Sequence, residues 1–366
     1  RSAKQVYQQS GRAERVEPCQ ALLVKLAEDR FNLAVLQQFK RGKSSLMNAL
    51  AGRAILPTGF LPLTSTVTTL CYGPRERAVL RRKGWALEPE IALNELPDYV
   101  TEQGNPGNQK GILEVRVELP AEFLRRGMYF VDTPGIGSSR QENTATTYSF
   151  LPEADAVIWV TSVEAPLSEA EQVFLGDVRQ LVHKIFIVVN KVDLLADHER
   201  DQALGYIRDG LQQMLGAADL RLYPLSAKIG LEAKRAGDAE QLQRSGLPAF
   251  ESDLVSFLAE GKSQAFLAAA LDRALRLTAD LGAADGQMDD LRARLEAARA
   301  ALLAGSALAH PAPGTARADA APTPAEASQR VREIATRCPA PPSKERSGPA
   351  EGPCRICAAQ SQALFN

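Results

Sequence analysis

No run of roughly 18 continuous apolar residues occurs in the chain, so no membrane-spanning helix is expected. Net charge is nearly absent as well. The 43 Lys and Arg residues stand against 44 Asp and Glu, a formal balance of −1. Without an excess of positive charge, no broad nucleic-acid surface is implied. Cysteine is scarce, five in 366 residues. An odd, unevenly spread set argues against a disulfide framework and for a reducing compartment, the cytoplasm. The N-terminal stretch has no signal-peptide pattern. The chain begins at Arg1 rather than Met and stops at Phe365-Asn366; both ends read as those of a fragment. The length suits one large domain with additional elements.

What is present begins with Gly42-Lys43-Ser44, placed between the apolar run Leu33-Ala34-Val35-Leu36 and the helical pattern Ser45-Leu46-Met47-Asn48-Ala49-Leu50. A strand, a turn and a helix start are the context of a phosphate loop. A helix N-terminus offers unpaired N–H groups and partial positive charge to phosphate oxygens. Lys43 is placed to reach the β- and γ-phosphates, and the Ser44 hydroxyl to ligate Mg²⁺. Lys40, Arg41, Gly42 and Ser45 complete the candidate phosphate-binding set. The pattern G-x-x-x-x-G-K-[ST] asks for glycine five residues before Gly42, and Gln37 stands there.

Three further motifs follow in order, each at the end of an expected strand. Met128-Tyr129-Phe130-Val131 leads into Asp132-Thr133-Pro134-Gly135. That arrangement offers Asp132 to Mg²⁺ and the Gly135 N–H to the γ-phosphate. Lys184-Ile185-Phe186-Ile187-Val188-Val189 ends in Asn190-Lys191-Val192-Asp193. Its last carboxylate can accept hydrogen bonds from the N1–H and 2-amino group of guanine, a donor pair that adenine lacks. Leu220-Arg221-Leu222-Tyr223-Pro224-Leu225 precedes Ser226-Ala227-Lys228, whose backbone amides suit the guanine O6. Ligands of open α/β sheets bind at such strand ends. The ligand expected from these four motifs is GTP with Mg²⁺.

Phe39-Lys40-Arg41-Gly42-Lys43-Ser44, Ile55-Leu56-Pro57-Thr58-Gly59 and Pro62-Leu63-Thr64-Ser65-Thr66-Val67-Thr68 together resemble the bacterial dynamin-like GTPases, over about residues 20 to 260. The resemblance implies a P-loop GTPase fold: a three-layer α/β/α domain with a mainly parallel sheet, flanked by helical-bundle segments. It makes the Thr-rich run switch I, with Thr64 best placed to ligate Mg²⁺ and meet the γ-phosphate; Thr66 and Thr68 fit less well. Read from residues alone, the same run is a strand with polar alternate positions. Lys43 and Thr64 are then the candidate catalytic residues, and Ser44, Thr64 and Asp132 the candidate metal ligands. The resemblance also implies GTP hydrolysis stimulated by dimerisation through the GTPase domain, and a lipid surface as partner.

Two water-positioning side chains are missing. Phe39 stands where eukaryotic dynamins carry glutamine, as it commonly does in bacterial relatives. Ile136, not glutamine, follows Asp132-Thr133-Pro134-Gly135. Catalysis is therefore expected to rest on Lys43, Mg²⁺, the Thr64 backbone and whatever closes the site when two domains meet, with Lys40 and Arg41 as candidate cations across that dimer.

The organisation expected is an N-terminal helix over 1–30, the GTPase domain over 31–258, a helical segment over 259–304, a flexible Ala/Pro-rich linker over 305–353 and a tail over 354–366. Expected strands are 32–38, 67–72, 112–118, 128–132, 156–161, 184–189 and 220–225. Expected helices include 43–51, 168–180, 197–214 and 247–259. In the helical segment Phe266, Leu267, Leu271, Leu275, Leu281, Leu291 and Leu295 mark an apolar face, bent or broken at Gly282 and Gly286. With the N-terminal helix it forms either a nucleotide-driven bundle or a hairpin that caps the domain. Cys354-Arg355-Ile356-Cys357 is half of a zinc motif; Cys338 adds a third thiol, no fourth ligand is visible, and two free thiols are the better reading. Three functions stay open: a dimerisation-stimulated GTPase acting on membranes, a GTP-dependent switch or scaffold with little hydrolysis, and an interaction module that binds no nucleotide.

Overall fold

The computed structural model describes residues 4, 7, 8, 13–37, 41–58, 66–82, 87–125, 127–133, 147, 150–164, 169–215, 220–278 and 286–309. All lie in the first of two compact units, Arg1–Ala327. The strands are β1 (Phe31–Gln37), β2 (Val67–Tyr72), β3 (Arg77–Arg82), β4 (Glu90–Ile91), β5 (Ile112–Leu119), β6 (Met128–Asp132), β7 (Ala156–Ser162), β8 (Ile185–Asn190) and β9 (Leu222–Pro224). The helices are α1 (Ala13–Ala27), α2 (Lys43–Ala51), α3 (Pro97–Val100), α4 (Glu169–Leu181), α5 (Asp197–Leu215), α6 (Ala227–Ala236), α7 (Ala239–Arg244), α8 (Leu247–Glu260), α9 (Lys262–Thr278) and α10 (Gly286–Ala309).

The strands form one sheet in the order β4-β3-β5-β2-β6-β1-β7-β8-β9. From β6 through β9 every neighbouring pair is parallel. Strand β2 runs antiparallel to β6 and parallel to β5, while β3 is antiparallel to β4 and β5. Alternation along the central strands assigns each face its own core. Leu33, Val35, Ile158 and Val160 pack with Leu46 and Met47 of α2 and Phe250 and Leu254 of α8. Ala34, Leu36, Val157 and Trp159 pack with Phe174 and Val178 of α4 and Ile207 and Leu211 of α5. Helices on both faces of a mostly parallel sheet make the three-layer domain.

Strands β3 and β4 were outside the expected set. Their outward positions are charged: Arg77 pairs with Glu118 of β5 at 2.7 Å, and Arg81 with Glu114 at 3.7 Å. Ala78 and Leu80 point into the core. Ion pairs across the strands, rather than a polar stripe facing water, stabilise this ribbon. Strand β9 is shorter than 220–225 and spans Leu222–Pro224, although the Leu225 amide still donates to the Val189 carbonyl at 2.9 Å.

The helices before and after the domain meet. Tyr7 donates its hydroxyl hydrogen to the Leu277 carbonyl, and Tyr7 and Cys19 form a small apolar cluster with Val16, Leu277 and Leu291. The buried face of α9 is Ala265, Phe266, Ala268, Ala269 and Arg273, whereas Leu267, Leu271 and Leu275 are half-buried. Small alanines allow close approach of backbones, so the leucine stripe is not the main contact. Gly286 begins α10 instead of breaking a helix, and α10 continues past residue 304 to Ala309. Gly282 and the tail lie outside the described residues. No helix among the described residues is long and apolar enough to cross a membrane.

Candidate functional site

The C-terminal ends of β1, β6, β8 and β9 lie on one edge of the sheet, joined there by the N-terminal end of antiparallel β2. Strand β1 ends at Gln37, paired with Val160 of β7. Helix α2 then starts at Lys43 from Gly42, which has φ 95° and ψ 31°. That left-handed conformation costs glycine nothing. It is also demanded by space, since a Cβ at Gly42 would lie 2.2 Å from Asn190 Nδ2.

Asn190 at the end of β8 is a structural clamp. Its Nδ2 donates to the Arg41 carbonyl at 3.0 Å, and its Oδ1 accepts from the Ala227 amide at 3.0 Å. One buried carboxamide therefore ties the loop before α2 to the loop before α6. Ser226 caps α6, accepting from the Ile229 amide at 3.2 Å. The Ser226 amide donates to the Ser245 carbonyl at 2.8 Å, and Lys228 is exposed. Lys191 takes a left-handed backbone, φ 64°, and its ammonium contacts Glu164. Asp193 is exposed on the short 3-10 turn Val192–Leu194.

Lys43 is buried, and its Nζ contacts both the Asp132 carboxylate and the Thr133 carbonyl. The register places Thr68 of β2 directly opposite Asp132, so both side chains share one face of the sheet. The buried hydroxyls of Thr66, Thr68 and Thr133 have no hydrogen-bond partner. Ser44 is half-buried in the first turn of α2, beside Ser45. A carboxylate, a serine hydroxyl and unpartnered threonine hydroxyls are the hard oxygen donors that Mg²⁺ accepts, and this ion typically takes few protein ligands and keeps waters or phosphate oxygens. The residues fit that ion. Lys40, Thr64 and Gly135 lie outside the described residues, as do Cys338, Cys354 and Cys357. Among the described residues, no cluster of three or more His, Cys, Asp or Glu could hold a metal, and zinc has no support.

Arg41 is paired with a residue far away in the chain. Its guanidinium is buried, with Nε 3.3 Å from Glu171 Oε1 of α4 and Nη1 3.3 Å from the Ser162 hydroxyl at the end of β7. A buried carboxylate thus holds it inward. Glu171 was not among the sequence candidates, because its partner is far away in the chain.

Residues 33–193 match the model of the dynamin family. Over these residues the chain is similar to the dynamin-family domain. A protein encoded in the xynA 3′ region of Caldicellulosiruptor sp. is 40% identical over 241 residues, covering 66% of this chain and 60% of its own. Dynamin-like protein 1 of Campylobacter jejuni is 26% identical over 303 residues, covering 70% of this chain and 41% of its own. A solved structure of an oligomerised bacterial dynamin pair, described for long-range sensing and tethering of membranes, aligns over 84% of this chain and 49% of its own. Its TM-score is 0.52 and its identity 21%, a likeness of fold. The chain thus spans between 41% and 60% of the length of these relatives.

Two features of the dynamin-type domain escaped the sequence. Asn190 serves the protein's own loops, with both ends of its amide used, and Gln37 is engaged with Lys43, as described below. The missing glycine at position 37 was the signal for the second.

Proposed function

We propose that this chain binds GTP with Mg²⁺ at the strand ends and hydrolyses it, with turnover raised by dimerisation of the GTPase domain. The observation that carries this reading is the convergence on one edge of Lys43, Asp132 and the Asn190 clamp, with Asp193 exposed beside them. Gly42, the amides of Lys43, Ser44 and Ser45, and the loop residues Lys40 and Arg41 surround the phosphates. Asn190 holds the loops, Lys191 and Asp193 face the base, and Ser226, Ala227 and Lys228 border it, with the Ala227 amide already given to Asn190.

The chemistry is phosphoryl transfer to water. Water attacks the γ-phosphorus, the bond from phosphorus to the bridging oxygen breaks, and GDP and inorganic phosphate leave with one proton released. The protein's share of such a reaction is positioning and charge stabilisation. Lys43 exchanges Asp132 for phosphate oxygens and follows negative charge as it develops. Asp132, Ser44 and Thr64 are the residues that would hold Mg²⁺. That ion would supply positive charge to offset the negative charge of the phosphates. Gly135 supplies an N–H to the γ-phosphate.

Phe39 and Ile136 stand where related GTPases carry a water-positioning glutamine, which supports a dependence on a second subunit. The dynamin relatives support action at a membrane surface, from the cytoplasmic side as a peripheral protein. In the expected result, GTP turnover per molecule rises with protein concentration and Lys43→Ala abolishes binding. A flat, very low rate supports the switch reading instead. Normal GTP binding by Lys43→Ala sinks the site assignment.

A further inference from the structure

Gln37 Oε1 accepts a hydrogen bond from the Lys43 amide at 2.7 Å. That amide is one of the N–H groups with which a phosphate loop cradles its ligand. It is also an orphan donor of the α2 N-terminus, since the helix-capping residue is Gly42 and offers no side chain. A carboxamide oxygen carries partial negative charge and satisfies both needs of the helix end, a hydrogen-bond acceptor and a negative pole.

We infer that Gln37 is an internal ligand of the phosphate cradle, competing with the phosphates of the nucleotide for the Lys43 amide. The inference rests on the GTP-site reading above. Gln37 sits where the motif has glycine, a residue unable to reach forward with a side chain. Position 37 needs no glycine for its backbone, because the residue is paired in β1 and is not among those with positive φ. The glycine of the pattern is thus replaced without strain, and the new side chain spans the turn it precedes. Three contacts then hold the turn without a ligand: Gln37 on the Lys43 amide, Asp132 on the Lys43 ammonium and Asn190 on the Arg41 carbonyl. Phosphate has to displace the first two.

An intramolecular competitor reduces apparent affinity by the fraction of molecules in which it has let go. It is absent from the bound state, so it slows association and leaves dissociation unchanged. A residue that only shaped the turn would alter the bound state and hence the dissociation rate.

The test is stopped-flow binding of fluorescent mant-GTP and mant-GDP, with Mg²⁺, to the full chain and to Gln37→Ala, Gln37→Gly and Gln37→Glu. Removing the side chain is expected to raise the association rate and the affinity about three- to tenfold, the worth of one net hydrogen bond, with dissociation unchanged. Gln37→Glu, a stronger acceptor at a helix N-terminus, is expected to associate more slowly than wild type. Amide hydrogen exchange at Lys43 in the nucleotide-free protein should be faster in Gln37→Ala. Equal association rates for wild type, Ala and Gly variants, or a change confined to dissociation, overturn the inference while leaving the GTP site intact. If neither wild type nor any variant binds nucleotide, the GTP-site reading fails and the inference falls with it.

Discussion

Gly42 and Asn190 fit together with no room for a methyl group: a Cβ on Gly42 would lie 2.2 Å from Asn190 Nδ2. The contact joins the turn before α2 to the end of β8, and through the Ala227 amide to the start of α6. Gly42→Ala therefore meets two penalties, a left-handed backbone at φ 95° and displacement of a buried, doubly bonded carboxamide. A stability loss of about 2 kcal/mol is expected by urea unfolding. Nucleotide affinity should fall with it, because the displaced clamp releases the Arg41 carbonyl and Ala227. A variant of unchanged stability and affinity would show that the clamp is dispensable.

Glu171 offers the second test. It is buried and bonds the Arg41 guanidinium through both carboxylate oxygens, each at 3.3 Å. Glu171→Gln removes the charge that offsets a buried cation. Breaking such a pair costs about 3 kcal/mol. The double variant Glu171→Gln, Arg41→Met removes the stranded charge, so part of that loss should return in thermal unfolding. Additive losses in the double variant would mean that the two side chains do not act as a pair.

The four strand-end motifs were legible because each is local: an apolar run followed by a short polar signature. The layered domain was implied by the family resemblance that these motifs and the Thr-rich run carry. Other features depend on distant partners. Arg77 and Arg81 look like loop charges until Glu118 and Glu114 of β5 stand opposite them. Arg41 looks like a free cation until Glu171 arrives from α4. The α9 surface misled by size, since small alanines pack a helix closely while leucines beside them stay half-exposed. Gln37 was visible as a departure from the pattern, but its acceptor role needed the turn to be folded.

Base selection is expected to rest on Asp193, whose exposed carboxylate on the Val192–Leu194 turn suits the two donors of guanine. An amide presents a donor in place of one acceptor. Asp193→Asn should weaken GTP about a hundredfold, the loss of two charge-assisted hydrogen bonds. It should strengthen xanthosine triphosphate, whose base offers an acceptor at that position. Competitive binding of the two nucleotides checks this, and unchanged preference removes Asp193 from the base site. Asp193 lies on a surface turn, so the variant is expected to unfold at the same urea concentration as wild type.

Lys25 of α1 links the flanking helices to the domain through a buried polar joint. Its ammonium lies 2.6 Å from Asp155 and donates to the Glu153 carbonyl at 3.0 Å, while Arg273 of α9 donates to the neighbouring Pro152 carbonyl at 2.9 Å. Burial pulls Lys25 down to about 8, against the attraction of Asp155 and helped by the repulsion of Arg273. Burial likewise raises Asp155 above the ordinary carboxylate value, against Lys25. For Lys25 the folded value lies below the unfolded value of 10.5. Between the two the unfolded chain holds more protons, so stability rises with pH. Below about 8 both states are protonated and the full penalty applies. Wild type should therefore gain stability on Lys25→Met between pH 7.5 and 9.5, by about 1–2 kcal/mol in urea unfolding. At pH 7 Lys25→Met should be the less stable of the two, because Asp155 loses its nearest cation. Parallel stability profiles across that window would mean that Lys25 keeps an ordinary affinity for its proton, and that the joint is wet rather than buried.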